Sequence, residues 1–383
     1  MKRGYWWGLG AIALLVVMVM SLRACRQGEG NLGGLSPEEE KRIRAGLTLR
    51  DVVLEQPDDN GQLLWRVNAE EVSYTPNQRT ASIVRPRGEL YQDGELIYRV
   101  SAESGEILDN GKRILLTGNI VATGVKNQAV LRGEEMEWQP ELALMTVRNN
   151  ITGTHPQLRA NAQEARIYDR ENRMELDGEV VANTVVEDPT TEPWVKLQAD
   201  LLEWNWEAET VVSEQPLRVE RLRDNRVIEV VTGATGSVNL AENRATLVDD
   251  VRVLLIETPL EIRSDRAVWA YQEERIDVES PLSLDHAEQN ITLTAQQGNL
   301  DLRSQQAFLT REVVAVGRRN NSRLAADRLT WNLQAQTLLA EGNVNYRQGD
   351  PPVTVRSPRA LGRIEAETIL LDGGRVVTEI VPQ

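Results

Sequence analysis

A short strand-like stretch recurs along this chain at nearly constant spacing, and that recurrence restricts the fold more than any other feature. "LLAEGNVNYR" (338–347), "ILLTGNIVAT" (114–123), "MELDGEVVAN" (174–183) and "FLTREVVAVG" (308–317) are versions of one unit. The apolar residue just after the polar N, E, D or P of each copy falls at Leu90, Ile120, Ile151, Val180, Leu217, Val251, Leu282, Val313 and Val344. The successive separations are 30, 31, 29, 37, 34, 31, 31 and 31. A fixed period of this kind belongs to architectures that stack one supersecondary unit on the next, since a single unit cannot bury its own apolar face. The length of 383 residues is therefore a weak guide to the number of domains.

Each unit has two halves. The first reads "LRANAQEARIY" (158–168), "VKLQADLLEW" (195–204), "LEIRSDRAVW" (260–269) or "SRLAADRLTW" (322–331), with a small residue near the middle and an aromatic at the end. The second is the strand quoted above, and polar turns such as "DREN" (169–172) and "QEE" (272–274) join them. Two runs joined by a short polar turn predict a hairpin, and Asp-Asn-Gly at 59–61 and 109–111 favours tight reversal. Met174, Leu176, Val180 and Ala182 alternate with Glu175, Asp177 and Glu179, so one face is buried and one meets water. Helical periodicity is absent after about residue 46. The predicted fold is all-β: an extended β-jellyroll of two facing antiparallel sheets of stacked hairpins, with 47–200 as a first jellyroll and 201–383 as a second, continuous one.

The inward parity nominates a set of lining residues: Ile114, Leu116, Ile120, Val147, Ile151, Leu176, Val180, Leu247, Val251, Ile276, Leu282, Val313 and Val344. Periodicity by itself makes these a core. Gly118, Gly178 and Gly342, with Asn149, Asp249 and Arg311 at equivalent steps, suggest space or a polar opening where a core would want bulk. Trp138, Trp204, Trp269 and Trp331, with Tyr74 and Tyr168, end the first strands; they either cap the sheet edge against the neighbouring hairpin or form an amphipathic rim.

Composition narrows the function. Lys and Arg number 43 against 58 Asp and Glu, a net charge of −15, which disfavours nonspecific nucleic-acid binding. With Cys25 the single cysteine, no intrachain disulfide and no cysteine metal site can form. His155 precedes Pro156 in a predicted turn and His286 lies at a strand end, and each is read as structural or solvent-exposed. Glu134, Glu135, Asp249 and Asp250 fall at repeat-equivalent or turn steps, and no charged cluster breaks the repeat as a catalytic site would. No catalytic residue, metal or cofactor is expected. A carbohydrate-active parallel β-helix and a purely structural or adhesive envelope repeat are the alternatives, and hairpin turns oppose the first.

At the N-terminus, Met1-Lys2-Arg3 precedes an uncharged run from Tyr5 to Leu22, long enough for one bilayer core. Residues 1–25 are read as a signal or membrane anchor, with Lys2 and Arg3 inside, and 26–46 as a flexible tether. The stretch "LRAC" leaves two readings open, an uncleaved anchor or lipidation at Cys25. Both put the body outside the cytoplasmic membrane, anchored to the inner one. The first and last strands, "TLRDVVLE" (48–55) and "TILLDGGRVVTEI" (368–380), carry no strong block against edge pairing.

The anchor, the tether and the repeat, with "LTLRDVVLEQPDDNGQLLWRVNAEEVSY" (47–74) as opening strands, resemble the LptC family of lipopolysaccharide-export periplasmic proteins. The chain is similar in length to the long LptC-like proteins of cyanobacteria, with nearly twice the repeats of a single-jellyroll member. The resemblance implies that the lining residues hold the acyl chains of lipopolysaccharide in an apolar slot. It also implies partners: the periplasmic jellyroll of an ABC transporter permease of LptF or LptG type at the anchored end, and an LptA-like or LptD-like jellyroll at the free end. Whether the second jellyroll replaces a separate LptA-like bridge is left open.

Overall fold

The computed structural model describes residues 47–380, apart from 76–78, 127, 320, 350–351 and 375. The predicted anchor, the tether and Cys25 lie outside the described residues. From Thr48–Pro57 to Val377–Ile380 the chain forms a meander of 28 strands joined in one sheet. Consecutive long strands pair antiparallel throughout, which removes the parallel β-helix. Among the described residues the helical elements are 3-10 turns of three residues at Asp109–Gly111, Pro140–Leu142 and Asp169–Glu171.

A kink near the middle of each pass turns this one sheet into two facing halves. Between Arg113–Gly124 and Val130–Gln139 the register shifts from Thr117 to Ile120, where Gly118 and Asn119 take φ of 83° and 46°. The same step recurs at Gly178 and Glu179, Asp249 and Asp250, Arg311 and Glu312, and Gly342 and Asn343, all with positive φ. Elsewhere the pass breaks outright, as between Ala81–Val84 and Arg87–Gln92 at Arg85. Bulges bend a strand, and bulges aligned from strand to strand fold the whole sheet along a line. The extended two-layer jellyroll expected from the repeat is the result.

This overturns the reading of Gly118, Gly178 and Gly342 as space on an inward column. They lie on the fold line with φ of 83°, 82° and 78°, and Asn149, Asp249 and Arg311 at the same step take 67°, 58° and 64°. The step demands left-handed backbone, which glycine adopts without a Cβ clash. A Cβ on Gly178 would stand 2.8 Å from Cβ of Gln163, so there is no spare room beside it.

Small residues do line the interior, one strand over. Ile120 faces Gly133, Ile151 faces Ala162, Val180 faces Ala199 and Leu217 faces Gly233. The row continues with Val251 opposite Ser264, Leu282 opposite Ala295, Val313 opposite Ala326, and Val344 opposite Ser357. A Cβ on Gly133 would meet Val147 Cγ1 at 2.6 Å, which shows that the larger side chains already occupy the room the small ones leave. Alternating bulk across facing positions packs a core to its usual density. Leu90 is buried but out of frame: it pairs with Tyr98, which pairs with Gly124, two inward positions beyond Ile120.

Every pass ends in a turn on one of two edges. On one edge the turns stack by backbone hydrogen bonds onto a left-handed residue of the preceding turn. The donors and acceptors are Trp206 and Asn172 (3.1 Å), Leu240 and Glu209 (2.9 Å), Tyr271 and Asn243 (3.2 Å), Leu302 and Glu274 (2.8 Å), Leu333 and Gln305 (3.0 Å), and Ile364 and Gln336 (2.9 Å). Asp200 and Leu201 lie within the strand Trp194–Asn205, and the sheet continues through them.

Candidate binding interior

All the nominated lining residues are buried on the inner face. Ile114, Ile120, Ile151, Val180 and Val344 are 1 % exposed and Leu282 and Leu176 are 6 %, with Leu116, Val147, Leu247, Val251, Ile276 and Val313 at 4 % or less. Burying side chains of this size is worth about 1.5–3 kcal/mol each. Ile120, Ile151, Val180, Val251, Leu282, Val313 and Val344 form the row along the fold line, and the others lie between it and the edge of stacked turns. One continuous apolar cluster runs from Trp65 to Ala360.

The tryptophans are interior. Trp138, Trp269 and Trp331 are 0 % exposed and Trp204 is 6 %, so they pack inside the stacked-turn edge and form no rim. His155 stands edge-on to Trp204 with ring centroids 4.7 Å apart, and His286 lies 5.7 Å from Trp331. Each histidine comes from the opposite edge of the folded sheet. Burial lowers the His286 imidazole below its ordinary value, against a smaller pull from Glu288 and Asp285. The indole nitrogens of Trp138, Trp204, Trp269 and Trp331 find no hydrogen-bond partner among the described residues.

The two edges meet along a seam, and every described contact across it uses a side chain. Trp65 Nε1 donates to the Gly111 carbonyl at 3.0 Å, and Gln157 Nε2 donates to Glu209 at 2.7 Å. Arg221 Nη2 donates to Glu274 Oε1 at 2.6 Å. These partners are 46, 52 and 53 residues apart, so each turn on one edge meets a much later turn on the other and the jellyroll is wound obliquely. The residues just past the strand ends, Trp206, Leu240, Tyr271, Leu302, Leu333 and Ile364, line the seam from the stacked-turn side. The strand and turn patterns of the sequence left them without a role. Their recurrence as the first apolar residue after the strand, at the same period as the repeat, was the available signal.

Arg221 anchors the tightest closure. Its side chain is 3 % exposed and also holds Glu229 at 3.0 Å, while Arg223 and Arg303 reach Glu274 at 3.1 and 3.6 Å. Burial, partly offset by Arg221, pushes the Glu229 carboxyl above the ordinary range. Burial of Glu274 is outweighed by Arg221, Arg223 and Arg303, which hold its carboxyl below that range. No sequence pattern marked this cluster, because "RVERLRDNR" (218–226) reads as solvated alternation.

Two hollows have mainly apolar walls. One is small and bounded by Leu131, Leu158, Met174, Leu176, Leu202 and Trp204. The other is a cleft at the C-terminal end, lined from 289–291, 315–317, 319, 322 and 324 on one side and from 362–364 and 367–369 on the other. Among the described residues no group of His, Cys, Asp and Glu is placed to hold a metal ion, and no helix is long and apolar enough to cross a membrane.

The geometry is that of a folded antiparallel sheet closed on a continuous apolar interior, with its first and last described strands at the two ends. The family of lipopolysaccharide-assembly, LptC-related proteins matches this chain twice, over residues 10–145 and 139–257, and the chain belongs to that family. Members are components of lipopolysaccharide transport in the periplasmic envelope and are not enzymes. Comparison with curated proteins finds no match.

Proposed function

We propose that this chain is a periplasmic bridge component, held at the inner membrane by residues 1–25, that receives lipopolysaccharide acyl chains from an ABC transporter and passes them towards the outer membrane. The observation that carries the reading is the unbroken inner row from Ile120 to Val344 in a chain of this family. Each methylene kept from water is worth about 0.8 kcal/mol, so a continuous apolar track removes most of the barrier to moving a multi-acyl lipid. The packed interior admits a chain when the seam parts, and the contacts across that seam among the described residues are made by side chains. No catalytic residue is required, because the transporter supplies the work.

In this proposal 47–200 and 201–383 act as consecutive stations. The exposed edge at Val52 and Val53 adds to the jellyroll of an LptF-like or LptG-like permease, and the edge at Val376 and Val377 to an LptA-like or LptD-like jellyroll. A photoreactive residue at Leu176 or Val180 should capture lipopolysaccharide in cells, whereas one at the outward Glu179 should not. Equal capture at both faces would sink the reading.

A further inference from the structure

The C-terminal end differs from the rest in charge as well as in openness. Residues 306–383 carry ten Arg against eight Asp and Glu, a balance of +2, whereas 47–305 carry 26 Lys and Arg against 46 Asp and Glu, a balance of −20. The cleft there has apolar walls from Ile291, Leu324, Leu338, Tyr346, Ile364 and Ile369, with Arg319 and Arg363 on its lining. Arg319 reaches across to Glu367 at 3.9 Å and donates to the Glu288 carbonyl at 3.1 Å. Among the described residues Arg363 has no ion-pair or hydrogen-bond partner for its guanidinium. On the outer face nearby, Arg323 pairs directly with Arg347 on the next strand. Like charges opposite one another across strands destabilise a sheet, and neither is matched by an acid in an ion pair among the described residues.

Among the described residues the cleft lies between the strands Thr337–Gln348, Val353–Arg363 and Thr368–Asp372 and the opposite edge at 289–291. This whole region lies beyond residue 257, outside both family matches.

We propose that the C-terminal cleft is a binding site for an anionic amphiphile, with an acyl chain on the Leu324–Tyr346–Ile369 wall and a phosphate or carboxylate headgroup on Arg363 and Arg319. A guanidinium pairs such groups through two parallel hydrogen bonds, and it forms that contact most strongly beside a low-dielectric wall. The proposal rests on the transport reading and adds to it a headgroup station where lipid leaves the closed core. The excess of acid over the remaining surface repels the same headgroup and so favours the C-terminal end.

The test uses the full chain in nanodiscs of neutral phosphatidylcholine. It is labelled with one diazirine-bearing dodecyl chain ending in phosphate, in an alcohol or in trimethylammonium, and the adducts are mapped by mass spectrometry. The phosphate probe should label Leu324, Tyr346 or Ile369 well above the other two, and Arg363→Glu with Arg319→Glu should cut that labelling by about tenfold, as loss of a charge-assisted contact does. Arg363→Lys should retain most of it. Arg85→Glu, on the distant fold line, should change nothing, and Ala315→Trp, which fills the cleft, should block all three probes. Equal labelling by the three headgroups, or phosphate labelling indifferent to the double charge reversal, overturns the headgroup site. If lipopolysaccharide is still captured at Leu176 in that case, the transport reading survives; loss of capture at Leu176 with labelling intact at the cleft would instead leave the site and remove the transport role.

Discussion

The middle of the jellyroll and its C-terminal end are built from the same repeat yet differ in closure. Around Trp269 the two edges overlap, the interior is filled, and Arg221 with Glu229 and Glu274 binds the seam. Around Ile369 the wall is present but stays half open, and the nearby guanidinium of Arg363 is unpaired among the described residues. Identical local patterning therefore gives a core or a cleft according to how far the opposite edge overlaps it. An apolar row is a lining only where something else fails to fill it.

The sharpest contrast comes from charge placed on each wall. Val251→Asp should destabilise the protein by several kcal/mol in urea denaturation, because an unpaired carboxylate cannot be buried cheaply, whereas Ile369→Asp, on the half-open cleft wall, should cost only about 1–2 kcal/mol. Comparable losses at both would erase the distinction between core and cleft.

Truncation sharpens it further. Trp269→Ala should cost about 3–5 kcal/mol through loss of packing and the cavity left behind. Ile369→Ala should cost on the order of 1 kcal/mol, since its wall is half open.

The seam can be broken directly. Arg221→Ala leaves the buried Glu229 carboxylate without its partner and should cost about 3–5 kcal/mol, with Arg221→Met costing less because it refills the volume. Hydrogen exchange should then rise at the turns 223–226 and 271–274 before it rises along the fold line; a uniform rise would mean the cluster serves global folding and not seam closure.

At the fold line, Gly178→Ala should cost about 1–2 kcal/mol from left-handed strain and the contact with Gln163. The same change at Gly153, whose backbone is not left-handed and where the nearest heavy atom would stand 3.6 Å from an added methyl, should be near neutral.

The smallest effect is a pH dependence. Burial lowers the His286 pKa in the folded state, so the unfolded chain binds the extra proton and stability falls as pH drops below the unfolded value of about 6.5. His286→Phe should flatten the melting temperature between pH 7 and pH 5 by that increment. A slope of opposite sign would show that Glu288 and Asp285 dominate.

Much of the fold was legible in particular residues. Met174, Leu176, Val180 and Ala182 gave the strand and its buried parity, and "DREN" and "QEE" gave the turns, because period-two alternation and turn chemistry act over a few residues. Every lining residue named from that parity is buried. Gly118 and its equivalents were misread because a one-letter pattern cannot separate a glycine chosen for positive φ from one chosen for small size. The sequence by itself thus determined an all-β stack, its period, which face is apolar and where its charge is concentrated, since each depends on the order of neighbouring residues. Tertiary structure alone decided that the bulges align into one fold line, that Trp206 and Tyr271 line a seam, that Arg221 meets Glu274 from 53 residues away, and that the interior opens at the C-terminal end. Those features depend on how obliquely one edge overlaps the other, a property of the accumulated twist of the whole sheet that no single repeat encodes.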